Sequence, residues 1–410
     1  MNATSHYAAA THSAYDIVII GGAMVGSSVA WFTSHHPDYD GRILVIEQDP
    51  SYEFAATSRT NSCVRQQFST EVNIKISQFT AEFVKNFPSY MGEDTDAPEL
   101  SFDRFGYMYL ADSQGFADHL KSVQSLQASL GAGTQIMSPQ QIAEAYPFYH
   151  LDDILLGSHN LVDEGYFEGS TIFEWWRRMA SRKGVEYLHN QVVDIELSSD
   201  GKEVAGVHLA TGERIGCSRL INASGTRADK TSQMAGIRLP IEPRKRFTWI
   251  FSAERPLDRA LPLTIDPSGI HLRQYGANAS NLYMAGSPPD PDPAVEFDDF
   301  SEDPHIWEDH VWPLIATRIP QFDALRIESS WAGHYDFNVF DHNAIIGPHT
   351  QISNFYFANG FSGHGLQQSP AIGRGLSELL VDGRYKSLDL TCFGFDRIER
   401  QIPLHEAAVI

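Results

Sequence analysis

The sequence predicts an α/β protein with an α+β second region, on three observations. Residues 15–20 are a near-continuous apolar run of the kind that forms a buried parallel strand, and they lead at once into a glycine-rich turn and a helical stretch, 27–34. A second such run, 42–46, ends in an acidic residue, Glu47. Further along, 105–110, 246–253, 269–275 and 282–285 are short strand-like runs without the helices that parallel crossovers require, so they read as a mostly antiparallel sheet.

Each element carries a chemical consequence. The turn reads Gly21-Gly22-Ala23-Met24-Val25-Gly26. Small residues at its first, third and sixth positions permit the tight turn, the close approach of a pyrophosphate and helix–strand packing, while the helix N-terminus offers N–H groups to the anion. Ala23 departs from the usual glycine by one methyl group. Glu47 follows Gly26 by 21 residues, the spacing at which a strand-end carboxylate accepts hydrogen bonds from adenosine ribose hydroxyls. Together these form a Rossmann-type unit for FAD or NAD, and the carboxylate disfavours the 2'-phosphate of NADP. Residues 184–197 and 204–209 read as further strands of this sheet. The run 219–225 ends in Ala223, Ser224 and Gly225, small residues at a strand's carboxyl end, where open α/β sheets bind ligands.

Composition narrows the function. A chain of 410 residues accommodates two domains around a large core, and a formal charge of -22 argues against a nucleic-acid surface. Cys63, Cys217 and Cys392 show no metal-type pairing, and His35-His36 has no ligand partners at metal spacing, so no metal is expected and a reducing compartment is the simplest reading. Residues 1–14 carry no Lys or Arg and read as a flexible tail. No run approaches the roughly 20 apolar residues that span a bilayer, which makes the cytoplasm the expected location. The acidic, Pro-rich stretch 288–303 reads as a solvated loop.

Four markers in order carry a resemblance: the GGAMVG unit with Glu47, the loop Ala55-Ala56-Thr57-Ser58-Arg59, the strand end at Ala223-Ser224-Gly225, and the late turn from Gly360 to Gly365. The chain resembles the D-amino-acid oxidase and sarcosine oxidase group of FAD-dependent amine oxidoreductases, which includes glycine oxidase. The stretch from Trp331 to Gln368 looks most like the FAD-dependent oxidoreductase domain-containing protein 1 branch. The resemblance implies an FAD-binding domain assembled from 15–95, 151–235 and 333–410. A substrate domain, 96–150 and 236–332, is inserted between the pieces. It also implies that Gln48, Thr57, Ser58, Arg59, Thr60, Ser62, Val192 and Gly333 join the motif residues in holding FAD.

Residues 355–358 read as a strand, 359–365 as a glycine-punctuated turn and 366–380 as a helix. By resemblance, Gly363, His364, Gly365, Leu366 and Gln367 face the flavin edge where negative charge builds on reduction. Arg65 stands where monomeric sarcosine oxidases bind the substrate carboxylate, a task suited to a guanidinium's paired donors. Gln367 replaces a second, lysine anchor of those enzymes, and Tyr335 replaces an arginine of D-amino-acid oxidases. His271 and His364 are candidates for polar contacts with substrate, and Arg246 and Arg273 are further cationic candidates. Gly333 stands where sarcosine oxidases link flavin through a cysteine, so FAD is expected to be noncovalent. Met284 replaces the oxygen-activating lysine, which favours a dehydrogenase and leaves oxygen or another acceptor open. The expected reaction is oxidation of a small carboxylated amine to an imine that hydrolyses. Two alternatives stand beside it: an FAD-stabilised assembly factor for a respiratory complex, and a 2-hydroxy acid dehydrogenase.

Overall fold

The first apolar run forms the strand Ala14–Ile20 at the centre of a mixed sheet in the computed structural model, which describes residues 7–92, 95–276 and 281–406. This strand pairs in parallel with Ile43–Glu47 on one side and Arg214–Asn222 on the other. The parallel array continues to Glu186–His189 beyond the former and to Phe355–Asn359 beyond the latter. Its residues are apolar without alternation because both faces are covered. Ile17 and Ile19 pack into a largely helical layer with Val29 and Ile372, whereas Val18 and Leu44 pack with Ile195 and Val207 from the antiparallel edge of the same sheet.

Two helices rise from the carboxyl ends of this array, Met24–Ser34 after the first strand and Gly365–Asp382 after the last. They cross closely. Ser28 Oγ donates to the Ser369 carbonyl at 2.7 Å, and a side chain at Gly373 would begin 2.0 Å from Ser28 Oγ. Only glycine permits that approach.

The second sheet has the order Leu325–Asn338, Ile241–Ala253, Leu282–Ser287, His271–Gln274, Leu263–Ile265, Tyr107–Ala111, Leu156–Asn160, Gln135–Met137. Every pairing is antiparallel except that of Leu263–Ile265 with Tyr107–Ala111. Among the described residues, no helix is long and apolar enough to cross a membrane.

Three expectations change. Leu156–Asn160 falls inside the piece 151–235 assigned to the cofactor domain, yet it pairs within the second sheet. Its sequence, LGSHN, has no apolar alternation because both of its faces are covered, Leu156 packing with Ala117 and Leu120 of the helix Gln114–Ser129 and Gly157 lying against Ile142 of the helix Pro139–Ala145. The strand Leu325–Asn338 likewise runs through the expected boundary at 333. Residues 7–14 of the expected flexible tail are tied along the sheet: Ala8 N–H donates to the His189 carbonyl at 2.9 Å, and Gly216 N–H to the Ser13 carbonyl at 2.9 Å. Residues 1–6 lie outside the described residues.

The acidic stretch 288–303 is a largely exposed loop, as expected, but several of its side chains dock on the protein. Asp292 pairs with Arg246 at 3.0 Å and Asp299 with Lys245 at 2.8 Å, so its acids serve as counterions to the strand Ile241–Ala253. Its aromatic residues pack inward, with Phe300 stacked on His334 at 4.1 Å and the Arg227 guanidinium 3.7 Å from the Phe297 ring centroid.

The C-terminal segment is fixed by a buried pair. Arg397 meets Asp341 through two bonds, 2.7 and 3.0 Å, and also donates to the carbonyls of Phe393, Asn343 and Ala344. Asp341 accepts the Leu404 N–H as well, at 2.9 Å, and Glu406 accepts from Ser69, Thr70 and Asn73. Removing the guanidinium strands a carboxylate that has no access to water. Arg397→Ala is therefore expected to lower stability by about 3–5 kcal/mol, read from urea denaturation.

Candidate active site

A cleft of about 600 Å³ lies between the carboxyl ends of the parallel strands and one face of the second sheet. This is where an open α/β sheet presents strand ends and helix starts to a ligand. Of the site residues read from the sequence, Gly22, Gly26, Ser58 and the further cationic candidate Arg273 do not line it, and the others do.

Gly22 and Gly26 act from behind. Gly21 has φ +98°, and a side chain there would begin 2.4 Å from the Ala223 carbonyl oxygen; at Gly26 it would begin 1.9 Å from the Gly21 carbonyl oxygen. The three strand ends can close together only around glycine. Gly22 N–H donates to Glu47 Oε2 at 2.9 Å, and Asp49 N–H donates to Oε1 at 2.8 Å. Burial raises the Glu47 pKa against these bonds, and its remaining lone pairs are available to hydroxyl donors. Ala23 precedes the helix without a side-chain acceptor, and Met24 N–H reaches Thr57 Oγ1 at 3.2 Å. A turn without side-chain bulk, a helix start and a carboxylate thus fit the pyrophosphate and ribose of a dinucleotide.

The second helix start is shaped by Asp336. This buried carboxylate accepts N–H bonds from Gly360 at 2.8 Å and Phe361 at 3.1 Å. Those bonds hold a turn with three positive φ values, Gly360 at 74°, Ser362 at 51° and Gly363 at 90°. A side chain at Gly363 would begin 2.4 Å from the Tyr335 ring, so Tyr335 packs directly beneath the turn. His364 precedes the helix without a capping bond, and His364, Gly365, Leu366 and Gln367 face the cleft.

Arg65 is buried beneath this helix start. Its backbone N–H donates to Gln367 Oε1 at 3.0 Å, its Nη2 lies 2.9 Å from His364 Nε2, and its guanidinium carbon sits 4.6 Å from the Phe68 ring centroid. A guanidinium has no acceptor, so His364 Nε2 carries the lone pair and His364 is uncharged in this contact. His271 lines the cleft opposite, with Asn61 Nδ2 2.7 Å from its Nε2. Burial, and then the charges of Arg246, Arg273 and Arg65, push His271 down to about 3. Both candidate histidines are therefore polar and neutral. Arg246 lines the cleft beside Tyr335, its guanidinium carbon 4.7 Å from that ring, while Arg273 stands behind Asn61 and donates to its carbonyl at 3.0 Å.

Arg59, which lines the cleft, is also held by its surroundings. It donates to the carbonyls of Glu53 and Ala332 and lies over the rings of Phe54 and Phe300. Gly333 has no side chain to offer, and a Cβ there would begin 3.1 Å from the Arg59 carbonyl oxygen. Met284 is buried, paired with Ile250 and Arg273, and does not line the cleft.

Sequence reasoning missed Asn61, Tyr107, Thr248, Arg227, Phe297, Phe300 and Asp336, all of which line the cleft. Two signals were present. Phe297 and Phe300 are aromatic residues in a stretch otherwise read as solvated, and Asp336 is a carboxylate inside the stretch 331–368 that carries the resemblance.

Burial raises the Asp336 carboxyl to about 6 despite its backbone donors. The folded state thus retains a proton that the unfolded chain, near 3.9, has lost. The Asp336 contribution to stability is fullest below about pH 4 and falls as pH rises to about 6. Asp336→Asn, which keeps an acceptor for the turn, is expected to remove that descending component from a pH series of unfolding midpoints.

Comparison with known proteins agrees with this geometry. Residues 16–379 match the DAO family, described as FAD dependent oxidoreductase. The chain is 34% identical over 425 residues to FAD-dependent oxidoreductase domain-containing protein 1 of Xenopus laevis, covering 96% of this chain and 85% of the relative. L-proline dehydrogenase from P. horikoshii superposes with a TM-score of 0.78 at 25% identity, covering 94% of this chain and 98% of that one. Glycine oxidase from Geobacillus kaustophilus shares the fold, with a TM-score of 0.76 at 18% identity and coverage of 93% and 98%. The chain belongs to the DAO family of FAD-dependent oxidoreductases.

Proposed function

We propose that the cleft oxidises a small carboxylated amine, with Arg65 holding the carboxylate. The observation that carries this reading is a buried guanidinium at the cleft wall, fixed in orientation by His364 and Phe68, beside the helix start at Gly365. FAD, when bound, supplies the two-electron acceptor, taking hydride from the carbon next to nitrogen.

The chain's own groups divide the remaining work. Glu47 and the turn at Gly21 would hold the adenosine and pyrophosphate, and the turn at Gly360 to Gly365 would hold the flavin end. Cofactor retention is noncovalent in this reading. Gly333 offers no nucleophile, and Cys63, which lines the cleft, donates its thiol to the Asn61 carbonyl and is pushed up by burial.

Amine oxidation needs the nitrogen lone pair, and Arg65, Arg246 and Arg273 around His271 disfavour a bound ammonium. The amine sheds its proton on entry, the C–H bond gives up hydride, and the nitrogen lone pair closes the imine. Water then cleaves the imine to a carbonyl compound and an amine or ammonia. No titrating histidine is required, because His271 stays neutral.

Anaerobic mixing of the FAD-loaded protein with N-methyl, D- and L-amino acids and secondary amino acids tests the reading. Bleaching of the flavin by one carboxylated class is expected, and reoxidation in air then distinguishes oxidase from dehydrogenase. Bleaching by 2-hydroxy acids alone would overturn it. Arg65→Ala is expected to weaken substrate binding about 10- to 150-fold, the equivalent of a charge-assisted pair of about 1.5–3 kcal/mol. The ascending limb of kcat/KM with pH is expected to move with the amine's own ionisation across a substrate series; a limb fixed near 6.5 for all substrates would point instead to a histidine base.

A further inference from the structure

The cleft-facing surface of the second sheet carries a second set of anion donors that the proposed reaction does not use. In the register of the three strands, Gly286 lies between Thr248 and His271, and Arg246 is two residues from Thr248 on the same strand, so Arg246, Thr248 and His271 share one face. Gly286 leaves that face open. A side chain there would begin 2.1 Å from His271 Nε2, and its absence lets the imidazole lie across the sheet towards the strand of Arg246.

Arg246 and His271 are each more than nine-tenths buried, at 8% and 6% exposure, and both line the cleft. Arg246 Nη1 donates to the Lys245 carbonyl at 2.7 Å and to Asp292 at 3.0 Å, and its Nε is buried without a hydrogen-bond partner. His271 receives the Asn61 amide on Nε2, which leaves the ring proton on Nδ1, and Nδ1 is also buried without a partner. Both unpartnered atoms are donors. The group they lack is an acceptor, and guanidinium charge at that wall selects an anionic one. Asp292 shows that Arg246 accepts a carboxylate from the loop side.

We infer that the substrate carries a second carboxylate, taken by Arg246 and the Nδ1–H of His271 while Arg65 holds the first. This rests on the proposed oxidation of a carboxylated amine and names its class: a dicarboxylated amine, bearing the extra group on its side chain or on a nitrogen substituent.

Redox-inert acids separate this claim from the reaction itself. Succinate, glutarate and adipate are titrated into the FAD-loaded protein against propionate and butyrate, with calorimetry and the flavin absorption shift as readouts. At least one dicarboxylate is expected to bind about tenfold or more tightly than either monocarboxylate, and Arg246→Gln to reduce that ratio below about threefold. Arg246→Lys, which keeps the charge without the planar fork, serves as the second variant if the first fails to retain FAD. Equal binding of the two classes by the unaltered protein overturns the second site and leaves the Arg65 reading standing. Failure of both classes to bind overturns the Arg65 anchor and this inference with it. A dicarboxylate advantage that survives both Arg246 variants overturns the assignment to Arg246. Among amines, reduction by N-carboxymethylglycine or by glutamate in preference to sarcosine supports the inference, and preference for sarcosine over both contradicts it.

Discussion

The close crossing of the helices Met24–Ser34 and Gly365–Asp382 is the contact on which the site depends. Gly373 makes room for Ser28, and the Ser28 hydroxyl closes the gap with a bond to the Ser369 carbonyl. One helix follows the first strand of the chain and the other follows the last strand of the parallel array. Their crossing therefore sets two helix starts side by side at the carboxyl ends of one sheet. Neither start has a side-chain cap, so both direct positive dipole ends into the same cleft. A ligand with a pyrophosphate at one end and a ring that becomes electron-rich at the other matches that arrangement.

Opposite the helices, the second sheet sets the charge of the wall. Arg246 and Arg273 stand on adjacent parts of one face with His271, and burial, reinforced by their positive charge, keeps the imidazole neutral. Buried guanidinium groups are costly unless paired, and on this wall Arg246 and Arg273 are paired with carbonyls, aromatic faces and the loop carboxylate of Asp292. The wall consequently favours an anion and disfavours an ammonium. Those two preferences are compatible with an amino acid only when its amine enters or becomes neutral, which is the state that oxidation requires.

The parallel half of the fold is legible in sequence because its signals are local. Apolar runs at 15–20 and 42–46, a glycine turn and Glu47 each announce themselves within a few residues. Asp336 and Arg246 are harder to read, since their roles arise from pairing across distant strands. The stretch 288–303 is the exposed loop that Asp and Pro announce, but composition hides that Asp292 and Asp299 also neutralise Arg246 and Lys245 on a strand more than 40 residues earlier. Leu156–Asn160 escapes notice because a strand covered on both faces needs no alternation, and residues 7–14 because backbone bonds to a sheet leave no compositional trace.

A crystal structure of the FAD-loaded protein with a bound, redox-inert carboxylic acid tests the central claim most directly. The isoalloxazine is expected against the turn at Gly360 to Gly365 and Gly333, with a carboxylate paired to Arg65. A carboxylate bound away from Arg65, or a cleft in which the flavin leaves no room for an acid at that wall, would contradict it.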